Sequence, residues 1–379
     1  MPQQRVLILA SRNPQLYGSA KMLSRLLRCW PSGDLAPLLV APAEGPLLEL
    51  ARSRAIPVEV IPGLDGANLR KAVTGYVPAL RRLSQLVRSN RPGVLLAQNR
   101  RMLVATAPVS LRYRIPRVWQ IGLGFDSPAN RWINRACVLI ANRVVLESDH
   151  QADTNFGAGF RRMLSSRFRI VPKGIDVDGA FEQAPAGRTP SGTHGLLVGT
   201  LASISRRKGH DVLLRAAAGL GDALAEVRIG GEPHDERDRR YREELVELAA
   251  GRSDGPAVRF CGFVDDVGTF LGELDLFVLA SRNEGISGAA REAMLCGLPV
   301  VATDVGGMRT VIDHGRTGLL VPPDDVSALR SALLTLAADP ALRRTLGLAA
   351  RAHILQHYDP RLFAKRYCET FQELADLSI

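Results

Sequence analysis

Two separate segments of the chain begin with the same pattern of apolar and polar positions. Residues 5–10 (RVLILA) and 195–199 (GLLVG) are apolar runs without polar alternation. Each leads through a glycine-containing loop into a stretch with apolar residues at helical spacing, residues 19–27 and 211–220. Such runs are typical of strands buried on both faces, so we expect parallel sheets covered by helices.

The same alternation of apolar run and polar or glycine-containing loop recurs along both halves. The further predicted strands are GVLLAQ, RVWQIG, RVVLES and RIVPKG in the first half and AEVRIG, AVRFCG, LDLFVLAS and LPVVATD in the second. Loops that follow such strands form the ligand-binding edge of doubly wound α/β sheets. Residues 178–194 are rich in Gly, Pro, Ala and Thr, which is typical of an interdomain linker.

The pattern therefore predicts an α/β protein with two doubly wound domains, as its length of 379 residues also suggests. We expect the first domain to cover residues 1–185 and the second residues 190–359. A last helix within residues 360–379 is expected to pack back on the first domain.

Composition narrows the class of protein. The apolar content of 46% argues against global disorder. The five cysteines are scattered and form no C-x-x-C pair, which favours reduced thiols in the cytosol over disulfides or a zinc site. No apolar stretch is long enough for a signal peptide or a membrane span, so a soluble or peripheral protein is expected.

Basic residues are concentrated in the first half of the chain. Residues 1–190 contain 27 Lys and Arg against 12 Asp and Glu, whereas residues 191–379 contain 22 against 26. This asymmetry suggests that the first half meets an anion, either a membrane surface or a phosphorylated small molecule. No motif supports nucleic acid as the partner. Because most of the cations are Arg, a bias in genomic composition is the alternative explanation.

The segment SRNEGISGAAREAMLCGLPVVATD carries two glutamates around a patch of small residues. The pattern places Glu284 at the end of a strand and Glu292 about one turn inside a helix over residues 288–296. With one partner off the helix, the two carboxylates are not expected to form a close acid/base pair. The alternative is that Glu284 caps a helix and Glu292 is a solvated helix residue.

The start of this helix is a candidate phosphate site. Ser287, Gly288 and Ala289 would present free backbone N–H groups, and the helix dipole adds partial positive charge. Carboxylates on either flank would repel a polyphosphate unless they face neutral hydroxyl groups, a ribose on one side and a hexose on the other. The residues therefore indicate a nucleotide-sugar or a comparable phosphosugar as ligand.

A second candidate anion site is the loop SISRRKG at residues 203–209. Its three consecutive cations, Arg206, Arg207 and Lys208, could neutralise a diphosphate. The spacing does not match a Walker P-loop, so ATP-type phosphoryl transfer is not indicated. A solvated basic turn is the alternative. Gly18, in the loop before the first helix, is a weaker candidate for approaching the ligand.

Together these segments resemble a known family, the retaining glycosyltransferases of family 4, which have GT-B architecture. The most specific part is the E-x7-E block and its sequel, EGISGAAREAMLCGLPVVATDVGGMRTVIDHGRTGLLVPPDD. VGTLASISRRKGHDVLLRA, VRFCGFVDDV, IVPKGID and LYGSAKMLSRLLR add to the resemblance, which covers nearly the whole chain. It implies two Rossmann-like domains facing a cleft, a UDP- or GDP-sugar donor held mainly by the second, an acceptor held by the first, and neither a divalent metal nor a cofactor.

The resemblance also implies roles for individual residues. Glu284 would bind sugar hydroxyls near the reacting carbon, Glu292 would hold the ribose, and Lys208 would be the cation of the diphosphate. The leaving diphosphate would take the acceptor's proton during front-face attack, so the anomeric configuration would be retained. The other implied donor contacts are Gly18, Arg206, Arg207, Val264 beside the nucleobase, Gly285, Ile286, Ser287, Gly288 and Ala289.

The chain departs from the family pattern at four places, one of which is the N-terminal loop, with Tyr-Gly-Ser at residues 17–19 where a double glycine is frequent. Thr200 stands where the motif G-R-L-x-x-x-K-G has an arginine, and Arg206 or Arg207 is the candidate replacement. Gln120 stands where many members have a histidine. Lys173 takes the place of an asparagine that often precedes G-I-D, and it is a candidate for an extra anion contact.

The acceptor is expected on the basic first half. We hypothesise a lipid-linked or phosphorylated glycan acceptor at the cytoplasmic face of the membrane, in the synthesis of cell-envelope polysaccharide or glycoconjugates. Residues 69–88 form a basic amphipathic run that could bind an anionic membrane. A domain helix with a solvated Arg face, broken at Pro78, is the preferred alternative. The acceptor-side candidates at predicted strand ends are Arg100, Arg101, Trp119, Gln120 and Lys173.

Two other classes of function stay open. A nucleotide-sugar epimerase or a glycoside phosphorylase would use the same fold, and the phosphorylase would need a lysine that carries pyridoxal phosphate. A catalytically silent nucleotide-sugar-binding subunit is conceivable because of Thr200 and Gln120.

Overall fold

A computed structural model describes residues 3–11, 19–64, 69–122, 128–176, 195–251 and 254–377. The chain divides into two compact units. The first consists of Met1–Gly174 and Pro360–Ile379, and the second of Ile175–Asp359. The chain therefore passes from the first unit to the second between Gly174 and Ile175, before the predicted domain boundary at residue 185. The predicted linker at 178–194 lies outside the described residues.

The first unit contains a seven-stranded parallel sheet with the order β3-β2-β1-β4-β5-β6-β7. Its strands are β1 (Gln4–Leu9), β2 (Leu35–Ala41), β3 (Val58–Val60), β4 (Val94–Ala97), β5 (Arg117–Gln120), β6 (Arg143–Leu146) and β7 (Phe168–Ile170). Its helices are α1 (Ser19–Arg28), α2 (Pro46–Ser53), α3 (Leu69–Asn90), α4 (Arg100–Arg112), α5 (Pro128–Ile140), α6 (Asp149–Phe156) and α7 (Ala158–Met163).

The second unit contains a six-stranded parallel sheet with the order β10-β9-β8-β11-β12-β13. Its strands are β8 (Leu196–Leu201), β9 (Leu224–Gly230), β10 (Ala257–Gly262), β11 (Leu276–Leu279), β12 (Val300–Thr303) and β13 (Leu319–Val321). Its helices are α8 (His210–Ala217), α9 (Glu236–Ala250), α10 (Val267–Gly272), α11 (Gly288–Leu295), α12 (Val326–Ala338) and α13 (Pro340–His357). The last helix, α14 (Pro360–Asp376), belongs to the first unit.

Both sheets are covered on two faces, as continuous apolar strands require. In the first unit, α3, α4, α5 and α6 pack on one face of the sheet, and α1, α2 and α14 pack on the other. The last helix contributes its aromatic residues Phe363, Tyr367 and Phe371 to that second layer. In each sheet the strand order reverses once, between β1 and β4 and between β8 and β11, and doubly wound sheets bind their ligands beside such points.

One local prediction is wrong: the helix over the basic run is not broken at Pro78. α3 continues through this proline from Leu69 to Asn90. Proline removes one backbone hydrogen bond and disfavours a helix interior. Here Ala79, Leu83 and Val87 are buried against the sheet, and this packing outweighs the local preference. In the described part of the chain, no helix is long and apolar enough to span a membrane.

Candidate functional site

The loops that follow β8 and β11 meet where the strand order of the second sheet reverses. Lys208 Nζ donates a hydrogen bond to Glu284 Oε1, and only 14% and 8% of the two side chains are exposed. The Arg207 guanidinium lies 3.9 Å from the other carboxylate oxygen of Glu284 and donates to the backbone oxygen of Asn283 at 3.0 Å. Three of the predicted site residues, Arg207, Lys208 and Glu284, are thus in one place.

Glu284 is held by its own loop and by the loop after β12. Ser281 Oγ donates to Glu284 Oε1 at 2.9 Å, and Thr303 Oγ1 donates to the Ser281 backbone oxygen at 2.5 Å. Gly307 N donates to the Gly285 backbone oxygen at 2.7 Å. Gly306 has a φ of 62°, and a Cβ there would lie 1.7 Å from the Glu284 backbone oxygen. Only glycine therefore fits where this loop passes Glu284.

Arg282 holds the loop that carries Lys208. Its backbone N donates to the Arg207 oxygen at 2.8 Å and its guanidinium to the Arg206 oxygen at 2.5 Å. The same guanidinium donates to both carboxylate oxygens of Asp211, each at 2.9 Å. Tyr241 Oη, on α9, also donates to Asp211, at 2.6 Å. The pattern of single residues did not indicate this network, because its partners are 71 and 30 positions from Asp211 in the chain.

The pKa values of several groups in and beside this network are shifted. Burial raises the pKa of the Asp211 carboxyl, but hydrogen bonds from Arg282 and Tyr241 outweigh it, and the resulting pKa is about 2. The hydrogen bond to Asp211 is also the main reason why the pKa of Arg282 is raised. Burial, assisted by the positive charge of Lys208, lowers the pKa of the His210 imidazole to about 4. His210 is therefore neutral at pH 7, and Asp211 is ionised.

The two arginines of the basic loop have different surroundings. Arg206 is paired with Glu244 of α9 at 2.5 Å, and its guanidinium lies 4.9 Å from the centre of the Tyr241 ring. Arg207 faces Glu284, as described above. Arg207 is therefore better placed than Arg206 to contact a ligand beside Lys208 and Glu284.

α11 begins close in sequence to Glu284. Ser287 is its N-cap and accepts a hydrogen bond from Ala290 N at 3.3 Å. Gly288 is exposed and Ala289 is half-buried, so a ligand can approach the first backbone N–H groups of the helix. The Glu292 carboxylate is half-buried and makes no hydrogen bond or ion pair with the rest of the described chain. Val264 and Ile286 are half-buried and pack against one core cluster.

A cavity of about 350 Å³ opens in the first unit beside the ends of β4 and β5. Arg100 donates to the amide oxygens of Asn134 at 3.0 Å and Asn130 at 3.4 Å. Gln120 is buried, and its Oε1 atom has no hydrogen-bond partner among the described residues. The cavity is lined by Asn99, Arg100, Arg101, Trp119, Gln120, Ile121, Gly122, Asn130, Asn134 and Asn155.

The remaining acceptor-side candidate, Lys173, lies elsewhere. Lys173 does not line this cavity and is paired with Glu147 at 2.5 Å. Gly18, which was predicted as a donor contact, is outside the described residues. Sequence reasoning missed Gln98, which accepts hydrogen bonds from Ser11 N and Oγ at 2.5 and 2.9 Å, where the first sheet reverses its order. Within the described ranges, no three His, Cys, Asp or Glu side chains are grouped so as to hold a metal ion, and metal independence stays a prediction.

Comparison with known proteins agrees with this architecture. A crystal structure of Anabaena HepE in complex with UDP superposes on the chain with a TM-score of 0.78 at 22% identity, over 98% of this chain and 100% of that one. The same protein with UDP-glucose gives a TM-score of 0.73. The fold is therefore that of a GT-B protein, with two Rossmann-like α/β units, as the sequence predicts.

Sequence matches over part of the chain agree with the resemblance to glycosyltransferases. Residues 193–339 match the family described as Glycosyl transferases group 1. A D-inositol 3-phosphate glycosyltransferase of Kribbella flavida is 30% identical over 60% of this chain and 56% of its own length. A phosphatidyl-myo-inositol mannosyltransferase of Mycobacterium leprae is 32% identical over 54% and 53%. The chain is therefore similar to glycosyltransferases of group 1 type, and the resemblance to family 4 is supported. It spans about half the length of the curated relatives it matches.

Proposed function

We propose that the chain transfers a sugar from a nucleotide-sugar donor, a UDP- or GDP-sugar, to an acceptor, with retention of anomeric configuration. The observation that carries this proposal is the contact of Lys208 with Glu284 at the reversal point of the second sheet. A cation and a carboxylate side by side suit a ligand that presents phosphate to one and hydroxyl groups to the other. The UDP and UDP-glucose complexes of Anabaena HepE support a donor of this class.

The proposed mechanism assigns binding and electrostatics to the protein. Lys208 and the first N–H groups of α11, at Gly288 and Ala289, would hold the diphosphate. Arg207 would replace the arginine that the family motif has at the position of Thr200. Glu284 would fix the sugar hydroxyls next to the reacting carbon. Further donor contacts in this proposal are Glu292 with the ribose and Val264 with the nucleobase.

The chemical step would need no carboxylate nucleophile and no metal. The acceptor hydroxyl would attack the anomeric carbon from the face that the diphosphate leaves. Its proton would pass to the departing phosphate oxygen as the bond between carbon and that oxygen breaks. Preorganised positive charge from Lys208 and Arg207 would stabilise the diphosphate in the transition state.

The acceptor in this proposal is a lipid-linked or phosphorylated glycan or polyol that binds the cavity of the first unit. Among the described residues, the ionisable groups that line the cavity are the cations Arg100 and Arg101. The bonds of Arg100 to Asn130 and Asn134 involve neutral amide oxygens, so they leave its positive charge for a ligand. The names of both relatives above include an inositol phosphate or a phosphatidylinositol. We place the reaction at the cytoplasmic face of the membrane, in envelope polysaccharide or glycoconjugate synthesis.

A transfer assay tests the proposal. The protein is incubated with UDP-, GDP- and ADP-sugars and with phosphorylated, unphosphorylated and lipid-linked acceptors, with and without EDTA. We expect a glycosylated product with the anomeric configuration of the donor, determined by NMR, and an unchanged rate in EDTA. Inversion, or strict dependence on metal, would contradict the mechanism. Arg100→Gln should raise the KM of a phosphorylated acceptor, while Arg344→Gln, an exposed change on α13, should not.

The same assay separates the alternatives that the sequence leaves open. An epimerase would convert the nucleotide-sugar without an acceptor, and a phosphorylase would need inorganic phosphate and would show the absorbance of pyridoxal phosphate. A silent subunit would bind a nucleotide-sugar without turnover of any donor and acceptor pair.

A further inference from the structure

The outer side of α5 is apolar although it faces solvent. Its exposed residues follow helical spacing and form one stripe along the helix. Trp132 and Leu139 are each 70% exposed, and Ile133 is 48% exposed. Ala129 and Ala136 complete the stripe. A helix at a protein surface normally turns charged and polar residues outward, so this stripe calls for a partner.

The neighbouring helix α4 extends the same apolar surface. Val104 and Leu111 are 51% and 54% exposed, and Pro108 between them is exposed as well. The two helices pack against each other and cover the same face of the sheet. We call the outer sides of α4 and α5 together the α4/α5 face.

The charges on α4, on α5 and on the neighbouring helix α3 have a single sign, whereas α6, on the other side of α5, carries Asp149 and Asp153, both paired with Arg161. Helices α3, α4 and α5 contain ten Lys and Arg and no Asp or Glu. Arg101 and Arg112, at the two ends of α4, are exposed beside its apolar stripe. On α5, the Arg135 guanidinium lies 5.3 Å from the centre of the Trp132 ring. The α4/α5 face is therefore an apolar surface bordered by arginines.

We propose that the α4/α5 face docks on an anionic lipid bilayer. Trp132, Ile133 and Leu139 enter the interface between headgroups and acyl chains, where tryptophan is favoured. The surrounding arginines contact anionic headgroups, whose surface potential attracts basic segments. This is a different surface from the run at residues 69–88. From that run, α3 contributes exposed cations such as Arg81, while α4 and α5 supply the apolar stripes.

Charge complementarity favours a bilayer over a second copy of the chain. In a symmetric dimer through this face, the arginines of α4 and α5 in one copy would face those of the other, and neither helix has an acidic residue to pair with them, which is unfavourable. The exposed apolar residues of the second unit are in a different setting. Leu348 and Leu355 on α13 are 48% and 45% exposed, and that helix also carries arginines such as Arg344, but it has no tryptophan or other exposed aromatic residue beside them. These two leucines provide a matched control.

Vesicle binding tests the proposal without donor or acceptor, so its outcome is independent of the proposed reaction. Sedimentation is measured with phosphatidylcholine vesicles and with vesicles that contain about 30% phosphatidylglycerol. We expect binding to the anionic vesicles only, weakened between about 0.1 and 0.5 M salt. Trp132→Glu with Leu139→Glu should lower the partition coefficient at least about tenfold. Leu348→Glu with Leu355→Glu should leave it unchanged.

Tryptophan fluorescence gives a second readout that does not require loss of binding. Trp119 is buried and Trp30 is half-buried, so Trp132 is the tryptophan that brominated lipid can reach. We expect quenching on vesicle binding in the wild type and its loss in Trp132→Phe, which keeps an apolar ring. Absence of wild-type binding to anionic vesicles would overturn the proposal. A dimer in solution that the Glu pair dissociates would overturn it too, since a second copy would then cover the face.

Discussion

Asp211 and Arg282 are joined by two parallel hydrogen bonds of 2.9 Å, one to each carboxylate oxygen. Arg282 directly follows Ser281 at the end of β11, and Asp211 lies in the first turn of α8. Through this pair the end of one strand fixes the loop that carries Lys208. The position of the cation that faces Glu284 therefore depends on a contact that touches no ligand.

Asp211→Asn should weaken both the fold and donor binding. The amide cannot accept two charge-assisted bonds, and we expect the free energy of unfolding to fall by about 2 kcal/mol. Asp324→Asn is the matched control, because Asp324 also accepts from Arg282, at 2.7 Å, but is 57% exposed. Urea unfolding and calorimetry with nucleotide would detect the difference. An equal fall in the free energy of unfolding in the two variants would show that the buried Asp211–Arg282 pair has no special role.

His210 should make the protein sensitive to mild acid. Its folded-state pKa of about 4 is below the ordinary value of 6.5, so the unfolded chain binds a proton more readily than the folded protein. Stability is then complete above about pH 6.5 and is lost as the pH falls toward 4, by about 3 kcal/mol. The lowered pKa of Asp211 acts in a separate window, below its ordinary value of 3.8.

This sensitivity is measured by urea unfolding from pH 7 to pH 4. His210→Gln should flatten the dependence on pH, whatever its effect on stability at pH 7. The exposed His234→Gln should reproduce the wild-type slope. A wild-type slope in His210→Gln would mean that other groups cause the loss.

Gly306→Ala should displace the Glu284 loop. Gly306 and Gly315 have similar left-handed backbones, with φ of 62° and 78°, so alanine is strained at both positions. At Gly315 the added Cβ meets no atom within 4 Å, and we expect a cost of about 1 kcal/mol. At Gly306 the collision with the Glu284 backbone oxygen should raise the cost to about 3 kcal/mol.

Both alanine variants strain the backbone, but only Gly306→Ala also brings a Cβ against the Glu284 backbone oxygen. Comparing the two variants therefore separates the effect of this contact from the effect of strain. Nucleotide affinity should fall in Gly306→Ala and stay unchanged in Gly315→Ala, as measured by calorimetry. Equal affinities would mean that the loop after β12 does not position Glu284.

Arg207→Gln should weaken nucleotide binding about tenfold, since it removes one charge-assisted contact to the diphosphate. Arg206→Gln should have little effect on affinity, because Arg206 is engaged by Glu244 and Tyr241. Isothermal calorimetry with the preferred nucleoside diphosphate compares the two. The reverse order would assign the missing family arginine to Arg206.

Most of the fold follows from the continuity of its apolar runs. Strands such as β4 and β12 are buried along their whole length, and their sequences have no polar alternation. The sequence pattern did not predict β2, β3 and β13. β2 contains Pro37, which is tolerated because β3 pairs with β2 only from Leu39 onward. β3 and β13 have three residues each, too few to show a period.

The candidate site was predictable where its residues are close in sequence or match a family motif. Glu284 and Lys208 were of this kind. Asp211 and Arg282 could not be found, because a charged residue early in a helix and one after a strand have many ordinary roles. Only the fold, which brings β8 next to β11, shows that they meet. The apolar stripe of α5 was missed for a related reason, since its residues resemble a core face until their exposure is known.

Calorimetric binding of UDP, GDP, ADP and their common sugar conjugates to the wild type, Lys208→Ala and Lys365→Ala tests the central claim most directly. Lys365 is exposed on α14 in the first unit and controls for loss of one positive charge. We predict that one nucleotide binds the wild type and the Lys365 variant equally, and the Lys208 variant at least about tenfold more weakly. Binding unaffected by loss of Lys208 would contradict the donor site, and no binding of any nucleotide by the wild type would contradict the proposed function.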